Sequence, residues 1–205
     1  MRGLVIIGAS GHGKVVADVA LRVGYDDVRF LDDDIGISEC AGFPVVGRVA
    51  DVECMPANMD FFVAVGNSFV RRRITEELEG LGCTAVTLVH PSACISRRVE
   101  FGAGTVVMAG VVINSDVRIG SGCIINTGAT VDHDCTIGDF VHVSVGAHIA
   151  GTVEVGSGAW IGAGAVVSNN VDICADVLVG AGAVVVHDIC EPGTYVGVPA
   201  RLIDH

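Results

Sequence analysis

Two hydrophobic rhythms run along the chain, and they change over near residue 88. From Val89 onward every sixth residue is Val, Ile or Phe (Val89, Ile95, Phe101, Val107, Ile113, and on through Val179 to Val185), seventeen positions without an insertion. Four residues after each stands a small or β-branched side chain, from Ala93 and Val99 to Ala183 and Ile189. Two such columns per hexad predict a solenoid of short strands, with one bulky and one small position facing inward on each flat side. An open sheet of alternating strands has no reason to hold a six-residue spacing for so long.

Residues 1–88 follow a different rhythm. A short apolar run, Leu4 to Ile7, leads into Gly8-Ala9-Ser10-Gly11-His12-Gly13 and then a helical pattern, Lys14 to Val23, with Val15, Val16, Val19 and Ala20 on one face. A second strand, Val28 to Leu31, ends in Asp32-Asp33-Asp34, and a third, Phe61 to Val65, ends in Gly66-Asn67. A helix follows with Val70, Ile74 and Leu78 on one face and Arg71, Arg72 and Arg73 largely on the other, a triplet that reads as a solvated face. A strand from Ala85 to Val89 then enters the solenoid. The expected fold is an α/β Rossmann-like domain, 1–88, followed by the repeat domain, 89–205.

Three strand ends in that first domain point loops the same way, and open parallel sheets bind ligands at the carboxyl ends of their strands. The glycines of the first loop allow close backbone approach to a phosphate, and the helix start offers free N–H groups. A nucleotide-containing ligand is the natural occupant. Lys14 is followed by Val15 rather than Ser or Thr, which excludes a Walker A loop. The acids after the second strand sit where dinucleotide folds bind a ribose, and an acidic surface turn is the other reading.

Composition narrows the partners. With 205 residues and 51% hydrophobic content, the chain can bury one sizeable core or two modest ones. The first strand begins too soon for a signal-peptide apolar region, and no apolar run approaches membrane-spanning length, so a cytoplasmic protein is expected. Eight cysteines include no CxxC pair, and Cys123 and Cys135 fall in the small inward column as buried thiols. A net charge of −12 argues against nucleic acid or an anionic membrane as partner. An anionic ligand must then be held by local donors: Lys14, arginines, and backbone N–H groups.

The motifs occur in a telling order: GASGHGK, a strand ending FLDD, another ending AVGN, a repeat containing VDHDCTIGDFVHVSVGAHIAG, and a close at YVGVPAR. Glycine also follows the repeat's lead residue at Gly120, Gly138, Gly156, Gly162 and Gly180. Across essentially its whole length the chain resembles the PglD/NeuD-type sugar acyltransferases, a family that includes the UDP-4-amino-sugar N-acetyltransferase of the bacillosamine pathway. The resemblance implies a left-handed parallel β-helix in which three hexads make a triangular coil and residues eighteen apart stack. Seventeen hexads then give roughly six coils, about 30 Å long at the strand spacing of sheets, with ends that need capping. It also implies a homotrimer with sites between subunits, acetyl-CoA as co-substrate, no permanently bound cofactor or metal, and transfer of acetyl to the 4-amino group of a nucleotide-activated, UDP-type 4-amino-4,6-dideoxy sugar.

Such a transfer needs a base to take the proton lost by the attacking atom. His133 is the leading choice, third in its hexad, facing outward between Asp132 and Asp134. A carboxylate on the imidazole fixes its tautomer; the family carries glutamate after its histidine, so the matching group here is Asp134, one methylene shorter. Gly151, eighteen residues on and so expected to stack near His133, offers an N–H as donor to the thioester oxygen, and it matches a family glycine. His142 matches a histidine that contacts acetyl-CoA, and Ala163, Ala181 and the Gly197–Ala200 stretch match its groove, whereas His148 receives no role. Ser10, Gly11 and His12 match the turn that holds the sugar nucleotide's phosphates, Asp32 and Asp33 the pair near uridine, and Gly66 a third contact. Phe69 departs from a polar residue of the relatives.

Three other readings compete. One is a sialic acid O-acetyltransferase of the same family. Another is a γ-class carbonic anhydrase, whose zinc histidines need spacings unlike the nine and six residues between His133, His142 and His148. The third is a nucleotide-binding oligomeric sensor without catalysis.

Overall fold

The computed structural model describes residues 2–203; Met1 and the last two residues of the predicted repeat domain lie outside the described residues. The chain divides at Pro91/Ser92 into two compact units, taken separately below.

The first unit is a five-stranded sheet in the order β3 (Glu39–Cys40), β4 (Phe43–Gly47), β2 (Asp27–Leu31), β1 (Gly3–Ile7), β5 (Met59–Val63). Strands β1 (Gly3–Ile7), β2 (Asp27–Leu31) and β5 (Met59–Val63) pair in parallel with β1 at the centre. All five β1 residues are buried, as a strand covered on both faces requires. Helix α1 (Gly11–Arg22) starts three residues earlier than its apolar pattern predicts, so Gly11, His12 and Gly13 form its first turn. Its buried stripe is Gly13, Val16, Ala17 and Ala20, spaced i, i+3, i+4, i+7, joined by Val19. Val15 lies outside that stripe and is exposed, contrary to expectation.

The sequence pattern gave no sign of the hairpin of β3 (Glu39–Cys40) and β4 (Phe43–Gly47). Its turn is Ala41-Gly42, both with positive φ (54° and 82°). Two-residue hairpins need that geometry and advertise it with Asn or Asp at the first position, a signal that alanine withholds. A 3-10 helix, Val49–Cys54, leads on toward β5. Helix α2 (Ser68–Gly80) is capped by Asn67, whose side-chain oxygen accepts from the Val70 N–H at 3.0 Å. Ile74 and Leu78 join Val5, Ile7, Leu31, Phe61 and Val63 in one core. The predicted strand Ala85 to Val89 reduces to a single bridge, Phe61 to Ala85, and a two-residue strand, Leu88–Val89.

The second unit is a three-sided parallel β-helix of two-residue strands. Every strand pair within the coils is parallel and shifted by eighteen residues, as in Val112↔Thr130↔His148↔Val166↔Val184. Three hexads therefore make a coil, and the helix is left-handed. The bulky column (Ile113, Val131, Ile149) and the small column (Val117, Cys135, Val153) are both buried, so the six-residue rhythm is the record of an interior. Gly138 follows a lead residue where the next coil crowds the backbone: a Cβ there would stand 2.7 Å from the Ser157 nitrogen.

The three sides differ outside. One presents Glu100, Arg118, Thr136, Glu154 and Asp172, while another presents Val112, Thr130, His148, Val166 and Val184. At the carboxyl end Thr194–Val196 pairs in parallel with Leu178–Val179 and is itself paired by antiparallel Arg201–Leu202, so a hairpin covers the last edge of that side.

Candidate functional site

Corners of the β-helix are tied by backbone bonds between coils, and one corner carries His133. Its carbonyl accepts from the Thr152 N–H at 2.9 Å, and the Asp134 N–H donates to the Ser115 carbonyl at 3.0 Å. Asp134 sits there with φ 59°, a left-handed conformation that Asp tolerates better than most residues. That turn brings its carboxylate alongside the neighbouring ring. Asp134 Oδ2 accepts from His133 Nδ1 at 2.8 Å. The shorter acid thus reaches the imidazole.

Asp132 completes the frame from the other side. It accepts from the His133 backbone N–H at 2.8 Å and from Asn114 Nδ2, one coil earlier, at 2.7 Å. These bonds, the one from Asn114 foremost, hold the Asp132 carboxyl below its ordinary pKa. The bond to Asp134 raises the pKa of His133, the charges of Asp132 and Asp134 add to that, and desolvation opposes it. A neutral His133 therefore carries its proton on Nδ1, toward Asp134, and leaves Nε2 to accept one.

Gly151 lies one coil up, buried beneath the His133 ring. A Cβ on Gly151 would come within 2.7 Å of both Cε1 and Nε2. Its N–H has no acceptor among the described residues, while its carbonyl takes the Asn170 N–H at 3.1 Å. A proton acceptor and a free backbone donor thus share one corner.

His142 belongs elsewhere. It stacks on Trp160, its partner in the register, with ring centroids 4.8 Å apart, and the Asn126 amide lies 3.2 Å from its Nε2. Trp160 Nε1 donates to the buried Ser144 hydroxyl at 2.7 Å. Sequence reasoning passed over Trp160, although an outward aromatic eighteen residues after His142 was a usable signal. Ala163 and Ala181 are exposed and stacked at a second corner, where the Gly182 N–H donates to the Ala163 carbonyl. His148 faces out from a third place, on the valine-bearing side, 3.0 Å from Thr130 Oγ1, beside a shallow cavity of about 300 Å³ that Asp132 and Asn114 also line. Of the proposed acetyl-CoA residues only Gly151 therefore meets His133 within one chain, while His142, Ala163 and Ala181 stand elsewhere on the β-helix.

In the first unit the loops after β1, β2 and β5 lie along one end of the sheet. Gly8, at φ 108°, is so close to β5 that a Cβ would stand 2.8 Å from the Ala64 carbonyl oxygen. Asp32 binds the glycine-rich turn directly: Oδ2 accepts from the Ala9 N–H at 2.6 Å and Oδ1 from Asp34 at 2.9 Å. Asp33 Oδ1 accepts from Val49 at 3.1 Å. Ser10 stands at the N-cap of α1 with no capping bond from its hydroxyl, and Gly11 is open to solvent.

His12 and Arg71 hold the surprise of this unit. Arg71 is 1% exposed, so the arginine triplet is not a uniform solvated face; Arg73 alone of the three is exposed. Arg71 Nη1 donates to the carbonyls of Val65 and Gly66, each at 2.8 Å. Helical spacing explains the miss, since Arg71 shares the stripe of Ile74, Thr75 and Leu78. Burial first, and then the charge of Arg71, lower the pKa of His12 to about 4. Its Nε2 is buried without a hydrogen-bond partner among the described residues.

Among the described residues no three His, Cys, Asp or Glu side chains converge as a metal site, and no helix is long and apolar enough to cross a membrane.

Known proteins resemble the chain in both units. Residues 3–78 match the PglD N-terminal domain. The UDP-N-acetylbacillosamine N-acetyltransferase of Bacillus subtilis (strain 168) is 41% identical over 117 residues, 53% of this chain and 52% of that protein, so the match spans about half of that relative's length. Among solved structures, the acetyltransferase domain of PglB from Neisseria gonorrhoeae FA1090 in complex with acetyl coenzyme A is 42% identical with a TM-score of 0.95, covering 98% of this chain and 99% of that one. PerB from Caulobacter crescentus in complex with CoA and GDP-perosamine is 40% identical with a TM-score of 0.92, covering 100% of this chain and 98% of its own.

Proposed function

The chain belongs to the PglD-type sugar acetyltransferase family, and from that premise we propose that it transfers an acetyl group from acetyl-CoA to the 4-amino group of a nucleotide-activated, UDP-linked 4-amino-4,6-dideoxy sugar. The observation that carries the reading is the corner at which Asp134 orients His133 over the unpaired N–H of Gly151. The sugar amine attacks the thioester carbon, and Nε2 of His133 takes the proton it sheds. Asp134 accepts the Nδ1–H throughout and stabilises the imidazolium. The Gly151 N–H donates to the thioester oxygen as charge gathers there. The carbon–sulfur bond then breaks, the CoA thiolate takes the proton back, and the products are the amide and free CoA.

Catalytic residues are thus His133, Asp134 and Gly151, while His142, Gly151, Ala163 and Ala181 contact acetyl-CoA. Because His142 lies on another side of the β-helix and Ala163 and Ala181 at another corner than His133, the site is completed by a second copy, and the protein works as a homotrimer in the cytoplasm. The valine-bearing side suits such an interface, since the acidic side would repel itself. Ser10, Gly11, His12, Asp32, Asp33 and Gly66 hold the sugar nucleotide.

The test is to supply acetyl-CoA with the UDP-linked amino sugar, its GDP-linked counterpart, or sialic acid, and to follow free thiol. Thiol release with a nucleotide amino sugar, lost by ~10²-fold or more in His133→Ala, is the expected result. Release with the GDP sugar alone would reassign the nucleotide, and release with sialic acid alone would replace the N-acetyl reading.

A further inference from the structure

Two carbonyl groups, those of Val65 and Gly66, point at the buried guanidinium of Arg71. In a planar trans peptide the N–H of the next residue points the opposite way. Arg71 therefore turns the N–H groups of Gly66 and Asn67 away from the protein interior. Neither donates to an acceptor among the described residues. They stand at the end of β5 and the start of α2, beside the loops that carry Ser10 and Asp32. The same guanidinium lies close enough to His12 for its charge to be felt there, and His12 Nε2 is buried with no hydrogen-bond partner among the described residues.

We propose that Arg71 is a positioning residue for the diphosphate of the sugar nucleotide: its Nη1 amino group holds the Val65-Gly66 carbonyls inward, so that the Gly66 and Asn67 N–H groups and the His12 ring face the ligand. This rests on the nucleotide-sugar reading above. Arg71 itself does not touch the ligand. One amino group of its guanidinium reaches both carbonyls, a group more weakly hydrated and so better suited to burial than an ammonium, and burial together with the Arg71 charge keeps His12 uncharged, so that the ring meets the anion as a neutral hydrogen-bond donor.

Two variants separate those parts. Arg71→Met removes the donors and the charge; Arg71→Lys keeps the charge but replaces the planar guanidinium with a compact, more strongly hydrated ammonium. Calorimetric titration with UDP and with GDP, alongside initial rates, should show nucleotide affinity weakened about tenfold or more in Arg71→Met. The KM for acetyl-CoA should stay within about twofold of wild type, as two separate binding regions require. Arg71→Lys should weaken nucleotide binding to an intermediate degree. By imidazole NMR His12 should titrate near its wild-type value in Arg71→Lys and higher in Arg71→Met. If wild type binds neither nucleotide, the nucleotide-sugar reading falls and takes this one with it. If wild type binds and Arg71→Met binds equally well, or if acetyl-CoA and nucleotide binding fail together in both variants, Arg71 is a structural residue only.

Discussion

Replacing Gly151 by alanine should damage catalysis while sparing the fold. The added Cβ would stand 2.7 Å from His133 Cε1 and Nε2, where ordinary contact begins near 3.4 Å, so the ring must retreat by about 0.7 Å. It can do so cheaply, because the His133 side chain is 57% exposed and is the free end of a flexible group. Gly151 does not have a positive φ, so alanine adds no backbone strain, and the entropy it removes from the unfolded chain is worth about 0.4–1 kcal/mol in the variant's favour. Retreat draws Nδ1 off Asp134, moves Nε2 away from the attacking amine and crowds the thioester. Misplacement of about 1 Å costs on the order of 10²-fold in rate, about 2.7 kcal/mol. Thiol release should therefore report kcat/KM down by roughly that factor, while the melting temperature moves by less than about 3 °C. Activity within threefold of wild type would refute the geometry. So would a melting temperature lowered far enough to explain the loss.

Asp134→Asn keeps a residue suited to the left-handed corner but removes the charge that raises the His133 pKa. The acid limb of the kcat/KM profile should move to lower pH while the plateau falls by ~10², as a misset tautomer predicts; an unmoved limb would show that Asp134 does not set the base. His142→Ala should raise the KM for acetyl-CoA about fivefold through loss of the Trp160 stack, with kcat nearly unchanged, and a kcat loss without a KM change would contradict the assignment. For His12, the folded chain resists protonation until about pH 4 while the unfolded chain protonates near 6.5, so stability present above pH 6.5 is lost as pH falls toward 4. The loss is roughly 3 kcal/mol, and His12→Gln should flatten it in urea titrations at pH 7 and 4.5; an equal slope in the variant would place the effect elsewhere.

The β-helix was legible because its interior is periodic: one coil is three hexads, so counting alone stacks Gly151 on His133. Side chains at its corners were less so. That Asp134 reaches the ring despite its missing methylene depends on a left-handed φ, which is a property of the corner rather than of the residue type. The first unit hid more. Val15 and Arg71 were assigned to the wrong faces: Val15 sits at the edge of the stripe that Gly13, Val16, Ala17 and Ala20 define, and Arg71 lies three and seven residues before Ile74 and Leu78 and so shares their stripe despite its charge. Ala41 disguised a hairpin by adopting a conformation that alanine rarely adopts. Polarity told little about burial at Arg71, since two backbone carbonyls help to satisfy it inside.

The eighteen-residue register acts as a reading frame for the catalytic corner. Insertion of a single residue within a strand between His133 and Gly151 would turn every later inward side chain outward for the rest of the coil and slide a different residue beneath the imidazole. A duplicated or deleted coil elsewhere in the prism would leave the pair in step. Length variation among proteins built this way should accordingly come in whole coils or at the corners, and never as a slip between the histidine and its glycine.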